Sequence, residues 1–389
     1  MARQLLCLAA AASALVAPSR RTTHAATLRA KKTVFIDGEA GTTGLQVLDR
    51  LATHPGIEVL SIDPSKRKDA GARKAAIAAA DAVVLCLPDD AAIEAVALAE
   101  GTDTKIVDAS TAHRCDASWV YGFPELNGDQ RAKIAASSRC ANPGCYATGF
   151  IAVTRPLVDA GLLKPEARLA CSAVSGYSGG GKQLTAIFEE EAHEPWGAYG
   201  WNLDHKHLPE MAFHGKLAEP PVFMPAVGAF AQGMVISVPL VYGRDCAGVS
   251  QGAQLHAALT EHYAGSSFVK VMPQGDASLL ERGAFLEPEA LNGSNDLELF
   301  VFENDARGTA CLVARLDNLG KGASGAAVQN LNIMLGLDET LAKKARWLER
   351  YKPALLLMLP DELNGKSDDE MTHLASALFD SLAFAGINK

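Results

Sequence analysis

Cys145 follows Pro143-Gly144 in the stretch Ala141–Gly149, and a run of small, helix-compatible residues begins at it. A helix starting there places the thiol in its first turn, where unpaired N–H groups and the positive dipole end favour thiolate. Gly144 removes a side chain that would block approach to the sulfur. That is how a nucleophilic cysteine is presented; the competing reading is a buried cysteine packing as a small hydrophobe. The second chemical stretch is Trp201–Met211, with His205 and His207 at i and i+2 and Glu210 three residues further on. No other Cys, His or acid falls at a convincing ligand spacing, so no metal is expected. A general acid–base pair fits better, with one histidine poised near neutral pH and Glu210 orienting it. Which histidine faces the sulfur is left open.

Two further stretches suit an anionic substrate. Ser110-Thr111-Ala112-His113-Arg114 lies at the end of a strand, where ligands collect in open α/β sheets. Arg114 offers a planar fork for a carboxylate or phosphate, with Ser110 beside it, whereas His113 reads as structural or solvent-facing. Ser175-Gly176-Tyr177-Ser178-Gly179-Gly180-Gly181-Lys182 is glycine-dense, with hydroxyls and a lysine, and suits close approach to a phosphorylated group. It is not a P-loop, because that spacing is absent and Gln183 follows the lysine.

The elements that position these groups begin with Thr33–Asp37, a short β-branched apolar run that reads as a buried strand. Gly38, Gly41 and Gly44 follow at G-x-x-G-x-x-G spacing with Thr42 and Thr43 among them, and Leu45–Leu51 has helical periodicity. Strand, glycine turn and helix in that order form the context of a dinucleotide loop. Glu58–Ile62 is the next strand. Asp63 at its end would suit NAD, but Ser65-Lys66-Arg67-Lys68 suits a 2′-phosphate, so NADP is favoured, with Ser65 and Arg67 as contacts. Strands at Asp81–Pro88, which brings Leu87 and Pro88 to the cofactor, and at Lys105–Asp108, with a helix at Ala91–Glu100 capped by Asp89 or Asp90, repeat the β–α rhythm of a doubly wound sheet. Arg168–Ser175 opens a second domain, with further strands at Val235–Leu240, Leu297–Phe302 and Ala310–Leu316. Asn318, placed to meet a nicotinamide amide, leads through small residues into a helix at Val328–Leu335.

The chain has 389 residues, room for two domains, and its 48% hydrophobic and 21% charged residues are ordinary for an α/β enzyme. A net charge of −9 argues against nucleic acid as a partner. Residues 1–32 carry six Lys/Arg and no acid. The apolar run Leu5–Val16 and the basic, hydroxyl-rich Pro18–Thr23 read as a targeting leader. A plastid stroma is the favoured destination, with the mitochondrial matrix as the alternative. Eight cysteines without a C-x-x-C pair imply a reduced compartment and no structural zinc. No apolar run approaches the ~20 residues of a membrane helix. Residues 337–389 carry two amphipathic helical patterns and read as an appended extension.

Taken in order over residues 33–336, Gly38–Gly44, Cys86–Asp90, Ser110–Arg114, Tyr121–Leu126, Asn142–Gly149, Ser175–Lys182, His205–Met211 and Asn318–Asn330 resemble one family, the shorter form of N-acetyl-γ-glutamyl-phosphate reductase. The resemblance implies a Rossmann-like doubly wound domain over 33–143, completed by a helix at 318–336, and an α+β catalytic and dimerisation domain of the semialdehyde dehydrogenase kind over 144–317. It implies NADPH-dependent reduction of N-acetyl-glutamyl 5-phosphate to the 5-semialdehyde through a Cys145 thioester, in arginine biosynthesis, by a homo-oligomer. Aspartate-semialdehyde dehydrogenase shares the cysteine–histidine logic and is the alternative reading. A non-catalytic NADP-binding sensor is the alternative of another class.

Overall fold

A computed structural model describes residues 30–190 and 192–345. The expected leader and most of the expected C-terminal extension lie outside the described residues.

Two sheets organise the chain. The first contains β1 (Lys32–Asp37), β2 (Ile57–Leu60), β3 (Ala82–Leu85), β4 (Lys105–Asp108), β5 (Val120–Tyr121) and β6 (Arg139–Ala141). They pair in parallel in the order β2-β1-β3-β4-β6-β5. Reversal of strand order beside β1 creates the crevice in which such sheets bind ligands. Strand side chains alternate between faces, and the two faces are both apolar, which is why these strands read as continuous hydrophobic runs. Val34, Ile36, Val84 and Val107 point to one side, where Val47 and Leu51 of the helix Thr42–Ala52 and Ala327, Val328 and Leu331 of the helix Gly325–Met334 cover them. Phe35, Val83, Leu85 and Ile106 point to the other, under the helices Ala70–Ala79 and Asp89–Leu98. Pro88, not an aspartate, occupies the N-cap of the latter helix; the Asp89 carboxylate instead accepts from the Thr111 N–H and hydroxyl.

The second sheet is mixed. It comprises β7 (Ala170–Gly176), β8 (Trp196–Ala198), β9 (Val222–Gly228), β10 (Met234–Val241), β11 (Val269–Val271), β12 (Leu297–Asn304) and β13 (Thr309–Leu316), in the order β11-β12-β13-β10-β7-β9-β8. Its long central pairs β10–β13 and β12–β13 are antiparallel. One face packs on the helix Cys145–Asp159, whose Phe150, Ile151 and Val153 meet Ile236, Leu312 and Ala314. The cysteine-bearing helix is thus buried in the second domain, while its first turn faces the end of the parallel sheet. Among the described residues no helix is long and apolar enough to cross a membrane.

Candidate active site

Cys145 is the first residue of the helix Cys145–Asp159, whose N-cap Gly144 is extended and makes no side-chain cap. The thiol opens into a cavity of about 850 Å³ that also reaches Thr42 and Thr43 of the glycine loop, the Ser175–Gly181 turn, the His205–His207 segment and Asn318. One cavity therefore joins the start of both helices.

Gly144 has a different purpose from the one expected. A Cβ there would stand 2.5 Å from Arg114 Nη1, 2.5 Å from His207 Nε2 and 2.8 Å from Glu210 Oε2. The missing side chain makes room for three polar groups rather than for substrate. Glu210, fully buried, also departs from expectation: among the described residues its hydrogen-bond partners include no histidine. Its Oε1 accepts from the Tyr121 hydroxyl at 2.7 Å and the Gly144 N–H at 2.8 Å, and its Oε2 accepts from Arg114 Nη1 at 3.2 Å. The carboxylate thereby fixes the residue that precedes the nucleophile and the arginine beside it. Arg114 further donates from Nε to Asn142 O at 3.0 Å and from Nη2 to Ala109 O at 3.1 Å. Of its five N–H donors two remain for a ligand, and the group lines the cavity.

The histidines divide the work by burial. His205 Nδ1 accepts the His207 N–H at 3.1 Å, which leaves the proton of a neutral His205 ring on Nε2. Burial lowers the His205 pKa, with Lys206 adding to the effect. For His207 burial, followed by the Arg114 charge, pushes the pKa well below the usual value, so the ring is neutral at pH 7. Its Nε2 overlies Gly144, and among the described residues its buried Nδ1 has no hydrogen-bond partner. Cys145 differs from expectation as well. Burial raises its thiol pKa, while Arg114, the Tyr146 N–H and Lys206 pull it down. The helix terminus alone does not make a thiolate; burial, invisible in the sequence, opposes it.

Other expected residues fall on both sides of the cavity wall. Ser175 and Gly176 line it, but Tyr177 and Lys182 do not. The Tyr177 hydroxyl donates to Glu189 Oε1 at 3.2 Å and its ring stacks on Phe188, while Lys182 is exposed. Ser110 is a turn residue: its hydroxyl and N–H both donate to Asp108, at 2.7 and 2.9 Å, and it lies outside the cavity. His113 bonds the same aspartate through Nδ1 at 2.6 Å and stacks on Trp119. Asn318 lines the cavity, with Oδ1 accepting from the Gly233 N–H at 2.8 Å and Nδ2 donating to Ser178 Oγ at 3.0 Å. One of its N–H groups is left to offer. Lys206, Tyr146 and Tyr199 also line the cavity and were missed. A cation between two histidines was the available signal for Lys206; nothing in the local pattern marks the tyrosines.

The cofactor side fits a dinucleotide. Gly38 has φ +88°, and a Cβ on it would lie 2.3 Å from Cys86 O and 3.0 Å from the Leu87 side chain. Gly41 caps the helix Thr42–Ala52 with no side chain on its N–H groups, so a phosphate can take them. Gly44 packs against the Gly38 carbonyl, and Pro88 starts the next helix beside Leu87. Arg67 is drawn to this loop by Glu39, with Nε at 3.1 Å and Nη2 at 2.8 Å. Ser65 closes a turn on Asp63 through its N–H at 2.8 Å and its hydroxyl at 2.7 Å. Among the described residues no three His, Cys, Asp or Glu side chains group as metal ligands.

Comparisons with known proteins agree with this layout. The family described as "Semialdehyde dehydrogenase, NAD binding domain" matches residues 33–134, and "Semialdehyde dehydrogenase, dimerisation domain" matches residues 145–318. Aspartate semialdehyde dehydrogenase II from Vibrio cholerae superposes with a TM-score of 0.60 at 15% identity, covering 79% of this chain and 99% of that one. The Candida albicans aspartate semialdehyde dehydrogenase with NADP gives 0.56 at 14%, covering 80% of this chain and 100% of that one. At such identity the likeness is one of fold. Much closer in sequence are N-acetyl-gamma-glutamyl-phosphate reductase 2 of Nostoc sp., 52% identical over 80% of this chain and 99% of its own length, and the Brucella ovis N-acetyl-gamma-glutamyl-phosphate reductase, 50% identical over 79% and 99%. With half of its residues shared along the whole length of these relatives, the chain belongs to the N-acetyl-gamma-glutamyl-phosphate reductase family.

Proposed function

We propose that this chain reduces N-acetyl-L-glutamyl 5-phosphate to N-acetyl-L-glutamate 5-semialdehyde with release of phosphate, using NADPH, as a step of arginine biosynthesis. The observation that carries it is Cys145 at an uncapped helix start, in the same cavity as the first turn of the glycine-loop helix.

The resting pair is a thiol and a neutral imidazole, because burial disfavours charge on both. A phosphate-bearing substrate changes that balance. Its negative charge, held by the two remaining Arg114 donors and by Lys206, offsets the Arg114 and Lys206 charges that add to burial in disfavouring an imidazolium, so His207 can take the Cys145 proton. The thiolate then attacks the acyl carbon; the S–C bond forms, the C–O bond to phosphate breaks, and a thioester remains on Cys145. Backbone N–H groups of the first helical turn face the developing oxyanion. The Gly41–Gly44 helix start would hold the pyrophosphate of NADPH, Asn318 its nicotinamide amide and Arg67 its 2′-phosphate, and the bound cofactor would supply hydride to the acyl carbon. His207 manages the proton as the C–S bond breaks and the aldehyde leaves with the thiol restored. Ser175 and the backbone of Gly176 border the acyl group; His205 fixes the His207 backbone.

The matched dimerisation domain supports a homo-oligomer. Residues 1–32 support a plastid destination, which a fluorescent protein carrying this leader tests by where it accumulates in a plastid-bearing cell. The activity itself is tested by NADP⁺ reduction with N-acetyl-glutamate semialdehyde and phosphate. Phosphate-dependent turnover that falls at least about 10³-fold in Cys145→Ser is expected. Turnover with aspartate semialdehyde alone, or tight NADPH binding without turnover of either aldehyde, would overturn the proposal.

A further inference from the structure

Lys321 is only 1% exposed, inside the π-helical turn Gly320–Ser324. A buried ammonium is costly unless it is paired and hydrogen-bonded. Here Nζ donates to Glu125 Oε2 at 2.9 Å and to Gln329 Oε1 at 2.7 Å, and it stands 5.5 and 5.2 Å from the ring centres of Phe123 and Phe268. Gln329 Nε2 closes the triangle on Glu125 Oε1 at 2.9 Å. Burial alone would raise the Glu125 carboxyl, but the charge and hydrogen bond of Lys321, with the Gln329 bond and Arg131, together hold it below its usual range. None of the three side chains reaches the cavity, and the chemistry above uses none of them.

The turn that carries Lys321 touches the nucleophile, the segment that anchors Arg114 and the helix of the glycine loop. A Cβ on Gly322 would stand 2.8 Å from Cys145 Cβ, so the turn lies directly against the nucleophile. Ala323 O accepts from Asn142 Nδ2 at 3.0 Å, and the Asn142 carbonyl in turn receives Arg114 Nε. Ser324 Oγ accepts from Arg50 Nε at 2.8 Å, on the helix that starts at the glycine loop. A π-turn departs from the favoured helical hydrogen-bond pattern and persists where its surroundings specify it.

We propose that Lys321, through its buried pairing with Glu125 and Gln329, is a positioning residue that fixes the Gly320–Ser324 turn and so seats Cys145 and Arg114 for reaction. The proposal rests on Cys145 being the nucleophile of the reading above. Lys321→Met removes the charge and keeps the stem, but leaves the buried Glu125 without its nearest cation, with the Gln329 amide and Arg131 at 3.5 Å remaining. The double variant Lys321→Met/Glu125→Gln removes both charges, and well-packed neutral replacements of buried ion pairs commonly recover stability. In the full chain, the double variant is expected to melt close to the wild type and bind NADPH within about twofold, yet to lose at least about tenfold in kcat. Carboxamidomethylation of Cys145, followed on its own peptide by mass spectrometry, is expected to run at least about threefold faster as the Gly322 seat loosens. A double variant with wild-type melting, kcat and alkylation rate would overturn the proposal, as would a kcat loss that tracks only the folded fraction. Should the double variant not fold, Glu125→Gln alone keeps an amide oxygen for Lys321 and is judged by the same readouts. If the wild type does not turn over the acyl phosphate, the functional reading fails, while the alkylation rates still decide the role of Lys321.

Discussion

Two helices open onto one cavity, and both start at a glycine with the same extended backbone: Gly41 at φ −75°, ψ 164° and Gly144 at φ −76°, ψ 147°, neither with a side-chain cap. Their surroundings differ. The Gly41 N–H turns back on Gly38 O, three residues away, and the helix end stays open for an anion. The Gly144 N–H is taken by Glu210, 66 residues further along the chain, which also holds Arg114 and Tyr121. The same local geometry becomes a phosphate cradle when it is left empty. It becomes a seat for a nucleophile when a distant acid fixes it and two histidines and an arginine surround it.

The largest effect expected from breaking this contrast is at Glu210. Glu210→Ala frees the Gly144 N–H and leaves Arg114 buried without its carboxylate. A loss of about 3–5 kcal/mol in stability and about 10²-fold in kcat should follow, with NADPH affinity unchanged. Denaturant unfolding and steady-state kinetics measure both; equal loss at the cofactor side would mean the two helix starts are not independent.

Next in size is a pH effect in the cofactor half. Burial lowers the His54 pKa from 6.5 to about 4. The folded chain keeps this ring neutral, while the unfolded chain takes up a proton below about 6.5. Stability from this group is therefore full above pH 6.5 and falls by about 3 kcal/mol as pH drops towards 4. His54→Gln should flatten the stability profile over that window, as urea titrations at pH 7 and 4.5 would show.

Gly38→Ala sharpens the cofactor side. The positive φ and the Cys86 carbonyl leave no room for a methyl, so NADPH binding should weaken by about tenfold while Cys145 alkylates at the wild-type rate. Arg67→Ala gives the smallest change. The half-exposed guanidinium is worth about 1 kcal/mol, so the NADPH dissociation constant should rise about fivefold, with NADH binding unaltered.

The same contrast explains what could be read from the chain alone. Strands such as Lys105–Asp108 and the glycine loop were legible because their causes are local: side-chain period, β-branching and glycine spacing. Cys145 at a helix start was legible for the same reason. The Glu210 carboxylate on the Gly144 N–H was not, since no local pattern encodes a pairing across 66 residues. The raised Cys145 thiol follows from burial in the folded chain, where the distant Gly322 turn lies against it, which periodicity does not measure. Ser110 and Lys182 have suitable chemistry at suitable loops, but one hydroxyl is spent on Asp108 and the other side chain lies in solvent.

The helix Gly325–Met334 has a consequence for synthesis. It covers the face of the parallel sheet on which Val34 and Ile36 lie, yet some 290 residues separate them in the chain. As the protein leaves the ribosome, N-terminus first, that apolar face is finished only after the entire second domain has emerged. A chain stopped between the domains carries the glycine loop and every strand of its sheet but exposes bare hydrophobic surface. The order of translation, not only the order of folding, therefore decides when the cofactor half is complete.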